Sequence, residues 1–198
     1  MPQPRRRRRT QIRHRLRHHR RRRQRAIHQR HGRRLAGEPI DILINNAAIF
    51  PDPGARSFND VKPQDILDAC RVNVVGPFLV TRALVPNLEL ADRKLAIQIT
   101  SNLGSIDEGV REKRTGQLAY ASSKAALNML SVHMGNELAS RGLASIALHP
   151  GWIKTDMGGE HAPLDLTPAV TTIIKTIDKL TTADNARYVR YDGKTIAW

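Results

Sequence analysis

Several residue types that whole classes of protein depend on are scarce in this sequence. There is one cysteine, Cys70, which excludes an internal disulfide and fits a reducing compartment. No apolar run approaches the ~18 residues needed for a membrane span. The basic start is not followed by an apolar stretch, so it does not read as a secretory signal. A cytoplasmic protein with no membrane association is the expectation. Lysine and both acids are missing from residues 1–34, which instead carry 16 Arg and five His. Glycine is almost missing from the same region, with only Gly32 and Gly37 before residue 41.

The charge is therefore lopsided. The whole chain carries +15, yet residues 35–198 hold 17 basic and 18 acidic side chains, a net of −1. The expected division is a basic segment over 1–36 and a folded domain over 37–198. An arginine run this dense has three readings. It could be a nucleic-acid-binding arm, an Arg-rich transit peptide, or a GC-rich gene translated out of frame, where CGN codons write arginine. The last is favoured, because lysine and serine are missing and sense returns abruptly at Leu35. Nucleic acid is a partner only if the segment is genuine.

Beyond it, strand and helix patterns alternate. Residues 41–48 ("DILINNAA"), 94–101 and 144–151 are short apolar runs stopping at small polar residues, as buried parallel strands do. A last strand is expected within 187–193. Helices are predicted over 63–90, broken near Gly76-Pro77 and with Pro63 in the first turn, over 117–140 with Gly142 as C-cap, and over 166–180. Residues 102–117 read as a polar loop. This alternation predicts an α/β fold with an open parallel sheet and chemistry at the strands' carboxyl ends. The 117–140 helix has a core face (Leu127, Leu130, Met134, Leu138) and a second apolar side (Ala121, Ala125, Met129, Val132). A partner subunit is expected there.

The segment richest in chemistry is "YASSK". Tyr120 and Lys124 share a helix face at i, i+4. A free phenol titrates near ~10, whereas a cation about 4 Å away at an effective dielectric of ~20 contributes roughly 4 kcal/mol. That is enough to bring the phenol into the range of a general acid/base. Ser101 lies just past a strand, able to polarise a carbonyl held near Tyr120. Asn73 stands inside a helix, where asparagine is a poor former. Pro150-Gly151 makes a tight turn ahead of Thr155. Simpler readings are preferred elsewhere: Cys70 as a buried inert thiol, His133 as structural, His149 packed or bonded to backbone, and Trp152 and Met157 at least as much packing residues as substrate contacts.

Taken in order, "NNAA", "NVVG", "ITSNLG", "YASSK", "HPGWIKTDMGG" and "YDGKTIAW" resemble the short-chain dehydrogenase/reductase family, in its C-factor-like carbonyl reductase branch, over residues 37–198. The resemblance implies a Rossmann-like, doubly wound sheet and NAD(P)(H)-dependent hydride transfer between a small carbonyl and an alcohol, with NADP somewhat favoured. It assigns Tyr120 as proton donor and acceptor. Lys124 would lower the Tyr120 pKa and bind the nicotinamide ribose, Ser101 would orient substrate, and Asn73 would hold a relay water. Asn45 and Ala47 would line the cofactor, together with Pro150, Gly151, Ile153 and Thr155. A homodimer through the 63–90 and 117–140 helices is the implied assembly. Ala48 departs from the family's usual glycine. The family's opening strand, glycine-rich turn and helix find no counterpart: two βαβ units need roughly 60 residues. A domain truncated at its cofactor-binding half, with hydride transfer correspondingly weakened, is therefore expected. The rival class is a nucleic-acid-binding protein acting through the arginines.

Overall fold

The computed structural model describes residues 35–198. The expectations placed on the arginine segment, as arm, leader or mistranslated text, fall on residues 1–34 and lie outside the described residues. Residues Pro39–Trp198 cluster as one unit.

Its frame is a parallel sheet of four strands in the order β1-β2-β3-β4, namely Ile42–Asn45, Leu95–Ile99, Ala144–His149 and Tyr188–Arg190. Each strand falls inside an expected apolar run but is shorter. The register sets Ile42 beside Leu95, Leu95 beside Ala144 and Ala147 beside Tyr188. Among the described residues β1 is a free edge, and its Ile44 is 48% exposed.

Five α-helices connect and cover the strands: α1 (Pro63–Cys70), α2 (Gly76–Glu89), α3 (Ile106–Arg111), α4 (Leu118–Leu138) and α5 (Leu166–Lys179). Because strand side chains alternate, the sheet has two distinct cores. On one face, Ala96 and Leu43 meet Val85 and Leu88 of α2 and Met134 and Leu138 of α4. On the other, Leu95, Ile97, Ile146, Leu148 and Val189 meet Ile173 and Ile177 of α5. All three crossovers step the same way along the sheet. The third therefore winds with the opposite hand to the first two, since its helix lies on the opposite face.

Several expectations change in detail. The 63–90 helix is not broken at Gly76-Pro77. The irregularity precedes that pair, as a π-helical turn over Arg71–Val75 that joins α1 to α2 and centres on Asn73. Single π-turns of this kind re-aim side chains and cluster at functional sites. The polar loop after β2 contains a 3₁₀ turn, Asn102–Gly104, and α3. The α3 N-terminus is capped by the Ser105 hydroxyl, which accepts from the Glu108 N–H at 3.1 Å. Gly142 ends the α4 region in the left-handed conformation, φ 72°, as the sequence predicts. Cys70 is half-buried rather than fully buried, and His133 lies on the exposed side of α4.

Candidate active site

Three segments converge at the carboxyl ends of β1 and β2. From β1, Asn45 turns into the interior, where its amide donates to Thr81 Oγ1 at 2.9 Å and to Gln98 Oε1 at 2.9 Å. Gln98 in turn donates to Ser145 Oγ at 3.4 Å, and Ser145 shares a hydrogen bond with Ser131 of α4 at 2.9 Å. A buried polar thread thus crosses β1, β2 and β3 and ends on α4. With its groups paired, such a network rigidifies a core. Asn45 ties the sheet to α2 by this route. Ala47, two residues on, is exposed.

The second segment is the turn after β2. Ser101 is 8% exposed, and its hydroxyl accepts from the Leu103 N–H at 3.2 Å. Its carbonyl accepts from the Tyr188 hydroxyl at 2.6 Å, and the Ser105 hydroxyl donates to the Ala197 carbonyl at 2.7 Å. Tyr188 stacks on Trp198, ring centroids 5.1 Å apart. The end of the chain therefore braces the Ser101 turn from below. Sequence reading missed these supports.

Gly104 brings the same turn against α4. A Cβ at this position would lie 2.7 Å from the Lys124 carbonyl carbon and 2.9 Å from the Ala125 nitrogen. Both are backbone atoms of a rigid helix, so neither can give way cheaply. Gly104→Ala is expected to lift the Ser101 turn off α4 and to cost about 1–3 kcal/mol. Urea unfolding checks this, and a variant as stable as the parent would refute the close approach.

The third segment is the first two turns of α4. Tyr120 and Lys124 are 8% and 2% exposed, and the Lys124 ammonium stands 5.5 Å from the Tyr120 ring centroid. Its Nζ donates to the Ile99 carbonyl at 2.9 Å, which ties it to the end of β2. Burial pulls the Lys124 pKa down to about 8. The expected lowering of the phenol is not what this geometry produces. Burial raises the Tyr120 pKa, and a side-chain hydrogen bond with Ser101 acts in the opposite direction. The ammonium lies over the ring face, held by a carbonyl, while the phenol is largely removed from water.

Asn73 is fully buried and its side chain is committed. It accepts from the Ile49 N–H at 2.8 Å, and it donates to the Ile49 carbonyl at 2.9 Å and to Ser123 Oγ at 2.9 Å. It therefore joins the loop after β1 to α4. After β3, Gly151 takes φ 89°, and a Cβ there would meet Leu164 and Tyr191 side chains, so the turn requires glycine. The following loop closes on itself. Ile153 bridges Leu164, Thr155 Oγ1 accepts from the Gly158 N–H at 3.1 Å, and Trp152 Nε1 donates to the Gly158 carbonyl at 2.7 Å. Trp152 and Met157 are 55% and 44% exposed, contrary to a packing role. His149 is half-buried, in keeping with the packing alternative, and among the described residues its Nδ1 finds no partner. Burial, with Arg190 and Arg114 nearby, drives its pKa to about 4.

The residues present fit the nicotinamide end of a dinucleotide. Lys124 is a buried donor at the end of β2, the Gly151 turn is free of side chain, and Thr155 and the Ile153 backbone edge the same turn. Among the described residues no glycine-rich turn offers a cradle for the pyrophosphate. No group of His, Cys, Asp and Glu among the described residues could hold a metal ion.

A parallel sheet with a serine, a tyrosine and a lysine converging at its carboxyl edge places this protein in the Rossmann-like α/β class. A sequence model of the short chain dehydrogenase family matches residues 17–164, opening within the arginine-rich segment, earlier than the motifs suggest. The C-signal protein of Myxococcus xanthus is 35% identical over 160 residues, 81% of this chain and 93% of that protein. The short-chain dehydrogenase srdF of Neurospora crassa is 30% identical over 171 residues, 80% of this chain and 65% of that one. Among solved structures, the carbonyl reductase Sniffer of D. melanogaster superposes with a TM-score of 0.79 at 32% identity, over 86% of this chain and 73% of that one. An NADPH-bound carbonyl reductase from chicken fatty liver superposes at 0.76 with 30% identity, over 87% of this chain and 71% of that one. The chain belongs to the short-chain dehydrogenase family, a family of NAD(P)-dependent oxidoreductases. Neither the fold nor these relatives supports the nucleic-acid reading.

Proposed function

We propose that this chain is an NAD(P)H-dependent reductase of small carbonyl compounds, with NADPH the preferred cofactor. The observation that carries this reading is the convergence of Ser101, Tyr120 and Lys124. They are brought there by two elements, the turn after β2 and the start of α4, and are supported by hydrogen bonds. When bound, the nicotinamide supplies the hydride to the carbonyl carbon, or takes it back from the alcohol. The chain's own residues manage the oxygen. Ser101 donates to the carbonyl oxygen and holds it against Tyr120. Tyr120, kept protonated at neutral pH by its burial, transfers its proton to that oxygen as the C–H bond forms. Lys124 holds the ribose hydroxyls and, charged below its pKa of about 8, stabilises the tyrosinate left behind. Asn73 fixes the loop after β1 against α4, and with both amide N–H groups committed to Ile49 and Ser123 it has no side-chain donor left for a relay water. Asn45 steadies the sheet beside the cofactor's path and Ala47 borders it. Pro150, Gly151, Ile153 and Thr155 would hold the nicotinamide end of the cofactor.

Support for NADPH comes from the chicken enzyme, whose structure is NADPH-bound. The assembly we propose is a homodimer through α1, α2 and α4, supported by Leu67, Val75 and Met129, which are 59%, 46% and 60% exposed. The cytoplasm is the proposed location. No helix among the described residues is long and apolar enough to cross a membrane. Incubating the full chain with NADPH or NADH and a panel of aldehydes and ketones tests the reading. Oxidation of NADPH coupled to alcohol formation is expected. Absence of turnover with both cofactors at millimolar concentration would overturn it.

A further inference from the structure

The helix that carries Tyr120 begins in an unusual way. The residue before it, Gln117, is in the left-handed region at φ 49° and gives no side-chain cap, and the first turn of α4 has no acidic residue of its own. The first N–H groups of a helix have no partner within it, and an N-terminus free of negative charge is a poor place to bury. Here the partner arrives from the loop after β1. Asp52 is 5% exposed. Its Oδ2 accepts from the Ala119 N–H at 2.7 Å, and its Oδ1 accepts from the N–H of Tyr120 itself at 3.2 Å.

The same short segment touches Tyr120 again. Phe50 packs against the phenol ring with centroids 4.5 Å apart, and Ile49 is held at both backbone groups by Asn73. The loop is braced further on, where the Gln117 N–H donates to the Ala55 carbonyl at 3.1 Å. Residues 49–55 thus form a bracket around the start of α4. Within it Asp52 is the one charged group bonded to the backbone of Tyr120.

We propose that Asp52 is a positioning residue for the reaction: its buried carboxylate caps α4 from outside the helix and so sets the pose of the Tyr120 phenol. The proposal rests on the reading of Tyr120 as the proton donor. Losing the cap leaves two buried N–H groups unpaired, and the first turn relaxes toward other partners. A displacement of about 1 Å at a reacting group is enough to cost roughly a hundredfold in rate. Asp52 is buried and both of its oxygens are taken by backbone N–H groups, so substrate and cofactor binding should change little.

The test uses the full chain carrying [¹³Cζ]tyrosine, in which Tyr120, Tyr188 and Tyr191 give three signals, with Tyr120 assigned through Tyr120→Phe. Asp52→Ala removes both acceptors, while Asp52→Asn keeps one acceptor oxygen. In both variants the Tyr120 signal is expected to shift or broaden, with those of Tyr188 and Tyr191 unmoved. In steady-state assays kcat should fall about tenfold to a hundredfold in Asp52→Ala and less in Asp52→Asn, with KM changed by no more than about twofold. Should Asp52→Ala fail to fold, Asp52→Asn decides. An unmoved Tyr120 signal, or three signals moving together, would overturn the proposal. So would a rise in KM with kcat unchanged. If the parent chain shows no turnover, the functional reading falls, while the tyrosine signals still decide whether Asp52 holds Tyr120.

Discussion

Tyr120→Phe is expected to lower carbonyl reduction by about 10²–10⁴-fold, the usual contribution of a positioned general acid, while leaving the fold and cofactor affinity nearly intact. The phenyl ring keeps its packing against Phe50, 4.5 Å away, so little apolar contact is lost. What disappears is the hydroxyl that meets the carbonyl oxygen. Burial raises the pKa of this phenol, so in the free protein it stays protonated through neutral pH and is ready to donate. Reduction should therefore be flat across neutral pH and decline on the alkaline side, whereas alcohol oxidation should rise with pH. Turnover measured with NADPH, NADPH fluorescence for binding and thermal melting for the fold separate these effects. Retention of more than about a third of the parent rate would exclude Tyr120 as the proton donor.

The second large effect has opposite signs for stability and for activity. Lys124 is 2% exposed, and burial lowers its pKa from 10.5 to about 8. Below pH 8 the ammonium is charged in both folded and unfolded chains, so the full penalty of burying it is present. Between 8 and 10.5 the unfolded chain keeps a proton that the folded chain has released, so stability rises with pH across that window. Above 10.5 both states are neutral and the penalty is gone. The interval corresponds to about 3 kcal/mol. Lys124→Met keeps the length of the side chain and removes the charge, but leaves the Ile99 carbonyl without its donor, a loss of about 1 kcal/mol. The variant should be roughly 2 kcal/mol more stable than the parent at pH 7 and lose that advantage by pH 10.5, while turnover falls sharply. Such opposition is common where function places a charge in a core. Urea unfolding at the two pH values checks it. A variant less stable at pH 7, or an advantage independent of pH, would sink the argument.

Much of this protein could be read before its structure was in hand. The four strands, the α4 helix and the Gly142 cap follow from local periodicity, because side-chain direction repeats every two residues in a strand and every 3.6 in a helix. Tyr120 and Lys124 could be paired for the same reason. Ser101 and Asn73 were legible as residues in unusual local settings, a serine just beyond a strand and an asparagine within a helix. The supports of the site were not. Asp52 reaches Ala119 across 67 residues of sequence, and Tyr188 reaches Ser101 across 87. Neither bears any local mark of its partner. The π-turn at Arg71–Val75 reads from the sequence as a break at Gly76-Pro77, because glycine and proline are the stronger local signals.

By itself, then, the sequence determined the family and the order of strands and helices, and it singled out the side chains proposed to carry the chemistry. These depend on residue type and short spacing. Only the tertiary structure decided how those side chains behave. It buries Tyr120 so that its pKa rises where the Lys124 spacing alone predicts a fall. It aims Lys124 at the Ile99 carbonyl, and it caps the helix of Tyr120 with a carboxylate from a distant loop. Desolvation and long-range hydrogen bonds depend on what surrounds a group in three dimensions, and no local pattern of residues encodes that surrounding.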